Sequence, residues 1–242
     1  MQLLLGAALM LAANALPTEP LTAVTTPMGS YQTMVDGEVA GSNTLWVRQL
    51  LNEAGLDADF VIYPWARAYQ LARTEPNVLI YAMARLPERE SQFHWIGPIA
   101  NFELAVLVKT EQQAALKQQL LQGGRMSLAV PRDHAAVPLL KAMPEAGQLD
   151  LFFTATTDEA FQLLVHKRVD AVVENPALLT ELLEPYQLPG DTLQLLWLLP
   201  VSGAAAYLAA SKTTDPHLVE RLQQAWQRLY GVSQPMPRER PE

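Results

Sequence analysis

Cysteine is absent from this chain of 242 residues. That absence excludes disulfides, thiolate metal sites, a thiol nucleophile and a lipid anchor on an N-terminal cysteine. Charge is sparse: 17% of residues are charged against 50% hydrophobic, so a disordered chain is not the expectation. Basic side chains are outnumbered 17 to 25, giving a formal net charge of −8. Such a balance repels phosphate backbones, and no basic cluster overrides it, so no nucleic-acid partner is expected. The four histidines, at 94, 134, 166 and 217, have no HExxH or closely paired spacing, and no GxSxG, P-loop or GxGxxG occurs. Neither a metal nor a cofactor is expected.

Residues 1–15 carry no side-chain charge; they hold an apolar run over 3–13 and the small-residue pattern Ala13-Asn14-Ala15. This is the pattern of a secretory leader cleaved after Ala15, although no Lys or Arg precedes the run. The run is shorter than the roughly 20 residues of a membrane-spanning helix, and nothing comparable follows. A buried N-terminal strand or helix is the alternative. Export to the periplasm is the expectation, and a domain of this size is stable there on its core alone. At the other end, Arg238 and Arg240 alternate with Glu239 and Glu242, so 232–242 is expected to be a flexible tail.

Between these ends, apolar strand patterns alternate with helical ones. A strand over 21–25 leads through a turn-rich loop over 27–41 into a helix. Ser42 or Asn43 should cap that helix, Trp46, Val47, Leu50, Leu51 and Ala54 form its buried face, and Gly55 stops it. A strand over 60–63 precedes a helix with Trp65, Ala68, Tyr69 and Ala72 on one stripe, and a strand over 78–82 follows. A longer strand over 102–108 opens a second series: helix 111–122, strand 126–130, helix 135–143 and strand 149–154. Thr156 with Glu159 forms a capping box for the next helix. A strand over 169–173 then meets Asn175-Pro176, a cap and first-turn proline. Strands over 193–199 and 204–210 precede a helix opened by Asp215-Pro216 and closed by Gly231. This alternation predicts open α/β sheets, with ligands at the carboxyl ends of strands.

Four segments give the chain a family likeness: Asp36-Gly37-Glu38-Val39-Ala40-Gly41, Tyr63-Pro64-Trp65-Ala66-Arg67-Ala68, Leu86-Pro87-Glu88-Arg89 and Arg168-Val169-Asp170-Ala171-Val172-Val173. In this order and spacing the chain resembles, over roughly 21–231, the extracellular solute-binding proteins of family 3. The resemblance implies an α/β, two-lobed type II periplasmic binding protein fold with a hinge and an interlobe cleft. Lobe 1 would comprise 21–104 plus 205–231, and lobe 2 would comprise 105–204. It also implies a monomer that binds a small molecule and delivers it to an inner-membrane ABC permease or a receptor.

The resemblance places Arg89 where relatives hold the ligand carboxylate, a role suited to the bidentate guanidinium fork. A surface salt bridge with Glu88 or Glu90 is the plainer alternative. Arg85 and Arg67 would add positive field. Trp65 would wall the ligand, with Tyr31 opposite, unless both are packing residues. Where relatives carry an aspartate for the ligand ammonium this chain has Asn175, beside Glu174. Asn175 would contact ligand or only cap a helix. The loop Pro131-Arg132-Asp133-His134 lacks the Gly and Thr of an anion-cradling turn; Arg132 would compensate by charge, while Asp133 and His134 form a polar pair in the cleft or a solvated loop. The residues after Gly231 are proline- and charge-rich where relatives have a further helix. One enzymatic alternative is a cyclohexadienyl dehydratase-like activity with Glu174 as a cleft acid raised in pKa by burial; a stand-alone sensor module is another. N-terminal sequencing of secreted material is expected to begin at Leu16, and an intact Met1 would refute the cleaved leader.

Overall fold

The computed structural model describes residues 20–201 and 205–231. The expected leader over 1–15 with its cleavage site, the tail over 232–242 and the predicted strand start at Ala204 lie outside them. The first series runs β1 (Leu21–Thr25), β2 (Thr33–Val35), β3 (Glu38–Ala40), α1 (Ser42–Ala54), β4 (Ala58–Ile62), α2 (Trp65–Thr74), β5 (Val78–Ala84) and β6 (Phe93–Asn101). The second runs β7 (Leu104–Lys109), α3 (Gln113–Leu121), β8 (Met126–Pro131), α4 (Ala136–Lys141), β9 (Leu149–Thr154), α5 (Thr157–Val165), β10 (Ala171–Glu174), α6 (Leu179–Leu183) and β11 (Leu193–Leu199). The chain then returns through β12 (Ala205–Ser211) and α7 (Pro216–Tyr230).

Two five-stranded sheets result, ordered β4-β1-β5-β12-β6 and β11-β7-β10-β8-β9. In the first, β1 is parallel to β4 and β5, while β12 runs antiparallel to β5 and β6. In the second, β8 is parallel to β9 and β10, and β7 is antiparallel to β10 and β11. The mixed α/β architecture is therefore divided into two lobes, each built on its own sheet.

Strand β5 is buried along its whole length, as a central strand covered on both faces must be. Leu79 and Tyr81 join the cluster that includes Val47 and Leu50 of α1 and Leu222 of α7, whereas Val78 and Ile80 join the cluster under α2. At Ala82 the backbone takes a positive φ of 60°, and the pairing with β12 slips between Tyr207 and Ala209. This is a bulge, and it puts Ala82 in the same cluster as Tyr81.

Several local expectations are corrected. Residues 27–41 contain the hairpin of β2 and β3. Helix α1 is capped by neither Ser42 nor Asn43: its N-cap is Gly41, without a side-chain bond. The Asn43 amide is buried instead and donates to Gln32 Oε1 at 3.1 Å. Trp46 is only half-buried, meeting the Tyr230 ring at its edge. Thr156 does cap α5, accepting from Glu159 N at 3.1 Å; Glu159 accepts from Ala155 N, one residue before the cap. Strand β6 had no counterpart in the sequence reading, because Gly97 and Pro98 interrupt its pattern; as the last strand of its sheet it tolerates both.

Gly97 is required by contact. A Cβ there would stand 2.3 Å from the Trp226 ring, whose indole donates to the Pro98 carbonyl at 2.9 Å. Gly97→Ala is therefore expected to lift α7 from β6 and cost about 1–3 kcal/mol, read as a lower urea midpoint.

Candidate functional site

The carboxyl end of β5 leads through Leu86 into a 3-10 turn, Pro87–Gln92, that folds Arg89 inward until only 3% of it is exposed. Its Nη1 donates to the Ala84 carbonyl at 3.3 Å and its Nη2 to the Asp133 carbonyl at 2.9 Å. Trp65, the first residue of α2, donates its indole N–H to the same Asp133 oxygen at 2.7 Å. Tyr69, four residues on and therefore on the same helical face, stacks with Trp65 at 5.6 Å and 22°. The Arg89 guanidinium lies 5.1 Å from the Trp65 ring centre and 4.9 Å from that of Tyr69, within cation–π range of both. Arg89 forms none of the ion pairs found among the described residues.

Asp133 belongs to the turn after β8, in the other lobe, and holds a positive φ of 57°. Beside this clasp opens a cavity of about 530 Å³ lined from the first lobe by Tyr69, Glu88 and Arg89. From the second lobe Arg132, Asp133, His134, Lys141 and Phe153 line it. Burial lowers the pKa of Arg89, with Tyr69 and Glu88 acting the other way. Burial and the nearby Arg89 also push His134 down to about 4, so its imidazole is neutral at pH 7; its Nδ1 accepts from Ala136 N at 3.2 Å.

Of the residues singled out from sequence, Arg89, Trp65 and Arg132 are thus brought together, the first two by the shared carbonyl and Arg132 through the cavity. Asp133 and His134 line the same cavity, whereas Arg85, Arg67, Tyr31, Glu174 and Asn175 stand apart from it. Arg85 is bound by the Glu90 carboxylate, with Nε to Oε2 at 2.9 Å, and lies against Trp95 and Tyr207; its field is largely neutralised there. Exposed Arg67 stacks on Tyr63 at 4.1 Å. Asn175 caps the turn after β10, accepting from Ala177 N at 3.0 Å. Glu174 is buried, accepts from Asn175 N at 2.7 Å, and is pushed up to about 7 by burial.

Tyr31 sits in the turn after β1, which a buried chain of bonds fixes to the sheet: Asn43 to Gln32, Gln32 to Thr25 and Thr25 to the Tyr81 carbonyl. Next to it, Ser30 makes a second bond between the lobes, its hydroxyl donating to Glu181 Oε1 at 2.7 Å and its N–H to Oε2. Glycine at 29 permits this approach, since its φ is 50° and a Cβ would meet Glu181 at 2.3 Å. Sequence reasoning passed over Tyr69, Lys141 and Glu181. Only Tyr69 left a signal, as an aromatic pair with Trp65 at i, i+4.

No family model matches the sequence, and no curated protein matches it. Solved structures do. An ancestral arginine-binding protein bound to arginine superposes with a TM-score of 0.71 at 18% identity, covering 87% of this chain and 92% of that one. An amino acid ABC transporter substrate-binding protein from Streptococcus pneumoniae, bound to L-arginine, gives 0.68 at 19% identity, over 87% and 88%. An ancestral amino acid-binding protein described as a precursor of cyclohexadienyl dehydratase gives 0.66 at 18%, again over 87% and 88%. The chain has the two-lobed periplasmic-binding-protein fold.

Within that fold the two shifted groups act on stability with opposite signs. Glu174 rises from 4.5 to about 7, so its contribution is full below pH 4.5 and is lost as pH rises through about 7. His134 falls from 6.5 to about 4, so its contribution is present above 6.5 and is lost as pH falls through about 4. Glu174→Gln should keep the acceptor oxygen and remove the first effect. Urea unfolding is expected to show the variant gaining on the wild type between about pH 5 and pH 8, by on the order of 3 kcal/mol. Parallel profiles would place the Glu174 carboxyl in water.

Proposed function

We propose that this chain is an exported, non-catalytic solute-binding protein. It captures a small carboxylate-bearing metabolite between its lobes and presents it to an inner-membrane ABC-type permease or a receptor. One observation carries this reading: Arg89 is buried, has no carboxylate partner among the described residues, and borders a cavity to which both lobes contribute. A buried charge without a counter-ion is costly unless something completes it. An acidic group on the solute does so, using guanidinium donors left over from the Ala84 and Asp133 carbonyls.

Trp65 and Tyr69 hold the plane of the fork, and Arg132 adds charge from the opposite lobe. The hinge lies where the chain passes between the sheets, giving lobes of 21–104 plus 205–231 and 105–204. Capture favours the shut form to the extent that the solute touches both lobes only there. Periplasmic location rests on the leader pattern over 1–15, and a monomer on what the family resemblance implies. The solved relatives named as arginine-binding or amino acid-binding proteins support a solute of amino acid size.

The dehydratase alternative has Glu174 in its favour, a buried acid at a strand end with its pKa near 7. Against it, that carboxylate is bonded to the next backbone N–H and is not part of the Arg89 cavity. Arg89→Ala is expected to weaken binding of whichever small acid raises the melting temperature of the wild type, by about 2 kcal/mol or more. Titration calorimetry showing unchanged affinity would reject the assignment.

A further inference from the structure

The chemistry facing Arg89 across the cavity narrows the class of solute, on the reading that this cavity is the binding site. A zwitterionic amino acid needs a carboxylate to receive its ammonium. Two acids of the second lobe, Glu181 and Glu174, already accept hydrogen bonds. Both oxygens of Glu181 accept from Ser30. Glu174 turns onto the Asn175 N–H, and the Asn175 side-chain oxygen is taken by Ala177 N.

The cavity itself is rich in cations. Arg89, Arg132 and Lys141 line it against the carboxylates of Glu88 and Asp133, and both of these acids are exposed. With His134 neutral, that leaves an excess of one positive charge in a protein whose formal net charge is −8. Arg132 precedes α4 and Lys141 is its last residue, and both line the cavity. Val137, Pro138, Phe153 and Tyr69 supply apolar wall between the charged groups, a surface for a short hydrocarbon spacer.

We propose that the solute is a small dianion, such as a dicarboxylate. One acidic group lies on Arg89, and the other lies on Arg132 and Lys141, which set the specificity. Three cations around a concave site favour two negative charges over one and steer an anion into a protein that otherwise repels it. Glu88 and Asp133 are the groups that compete with this assignment. Among the described residues, the exposed Asp133 carboxylate is the one second-lobe acid on the cavity wall and would have to be the one receiving an ammonium.

The test is titration calorimetry of the full chain with succinate, glutarate, butyrate, L-glutamine and L-arginine as probes. It uses wild type, Arg89→Ala, the double variant Arg132→Gln/Lys141→Gln, and Asp133→Asn, each checked for folding by its thermal melt. Arg132 and Lys141 are exposed, so the double variant retains the core. The expected result is that a dicarboxylate binds more tightly than butyrate or either amino acid. The double variant should weaken that binding about tenfold, to the butyrate level, with a shallower salt dependence. Tighter binding of L-glutamine or L-arginine that is lost in Asp133→Asn and in Arg89→Ala, but kept in the double variant, overturns the dianion while leaving Arg89 as the carboxylate fork. Binding of a dicarboxylate that survives both Arg89→Ala and the double variant overturns the dianion site and the cavity reading together, as does a failure of all five probes to bind.

Discussion

A guanidinium held out of water that forms no ion pair among the described residues is the constraint around which this site is arranged. Leaving such a charge unsatisfied costs several kcal/mol, so every neighbour of Arg89 works against that cost. Two carbonyl oxygens accept from it and two stacked aromatic rings lie against it, yet its five donors exceed those acceptors. The turn over Pro87–Gln92 that carries Arg89 and the start of α2 at Trp65 fix one fork in one place.

The acceptor that satisfies the fork comes from the other lobe, and this joins recognition to shape. The Asp133 carbonyl takes a bond from Arg89 and another from Trp65, while Glu181 takes two from Ser30 at a separate point of contact. Parting the lobes would break all four bonds, and a solute that reached Arg89 would occupy the donors that the Ala84 and Asp133 carbonyls leave open. Its effect on the opening equilibrium would equal the difference in its affinity for the open and shut forms. Asp133 carries the local cost of this arrangement in its positive φ, a conformation that Asp tolerates better than most residues.

Much of the fold was legible in the sequence because burial and helical or strand periodicity are local properties. The strands at Leu149–Thr154 and Leu193–Leu199 and the helix from Pro216 to Gly231 fall where the pattern put them. What failed locally had physical causes: Gly97 and Pro98 disguised an edge strand, and Asn43 was drawn from a capping role into a buried bond with Gln32. The candidate site was legible only in part. Arg89 and Trp65 could be named, but Arg85 and Arg67 could not be separated from them, since the partners that divert them, Glu90 and Tyr63, lie within a few residues and offer plausible surface contacts in either case.

By itself the sequence determined that the chain forms α/β sheets, that it needs no disulfide, and that a tryptophan begins a helix after a strand. Those facts follow from composition and from patterns only a few residues long. Tertiary structure alone decided that Arg89 and Trp65 share the Asp133 oxygen, that Glu174 and Glu181 are occupied elsewhere, and that Arg132 and Lys141 face the same cavity as Arg89. Apart from Glu174, whose partner is the N–H of the next residue, each is a contact between residues tens of positions or more apart. Such meetings are fixed by how two sheets come together, which no local periodicity encodes.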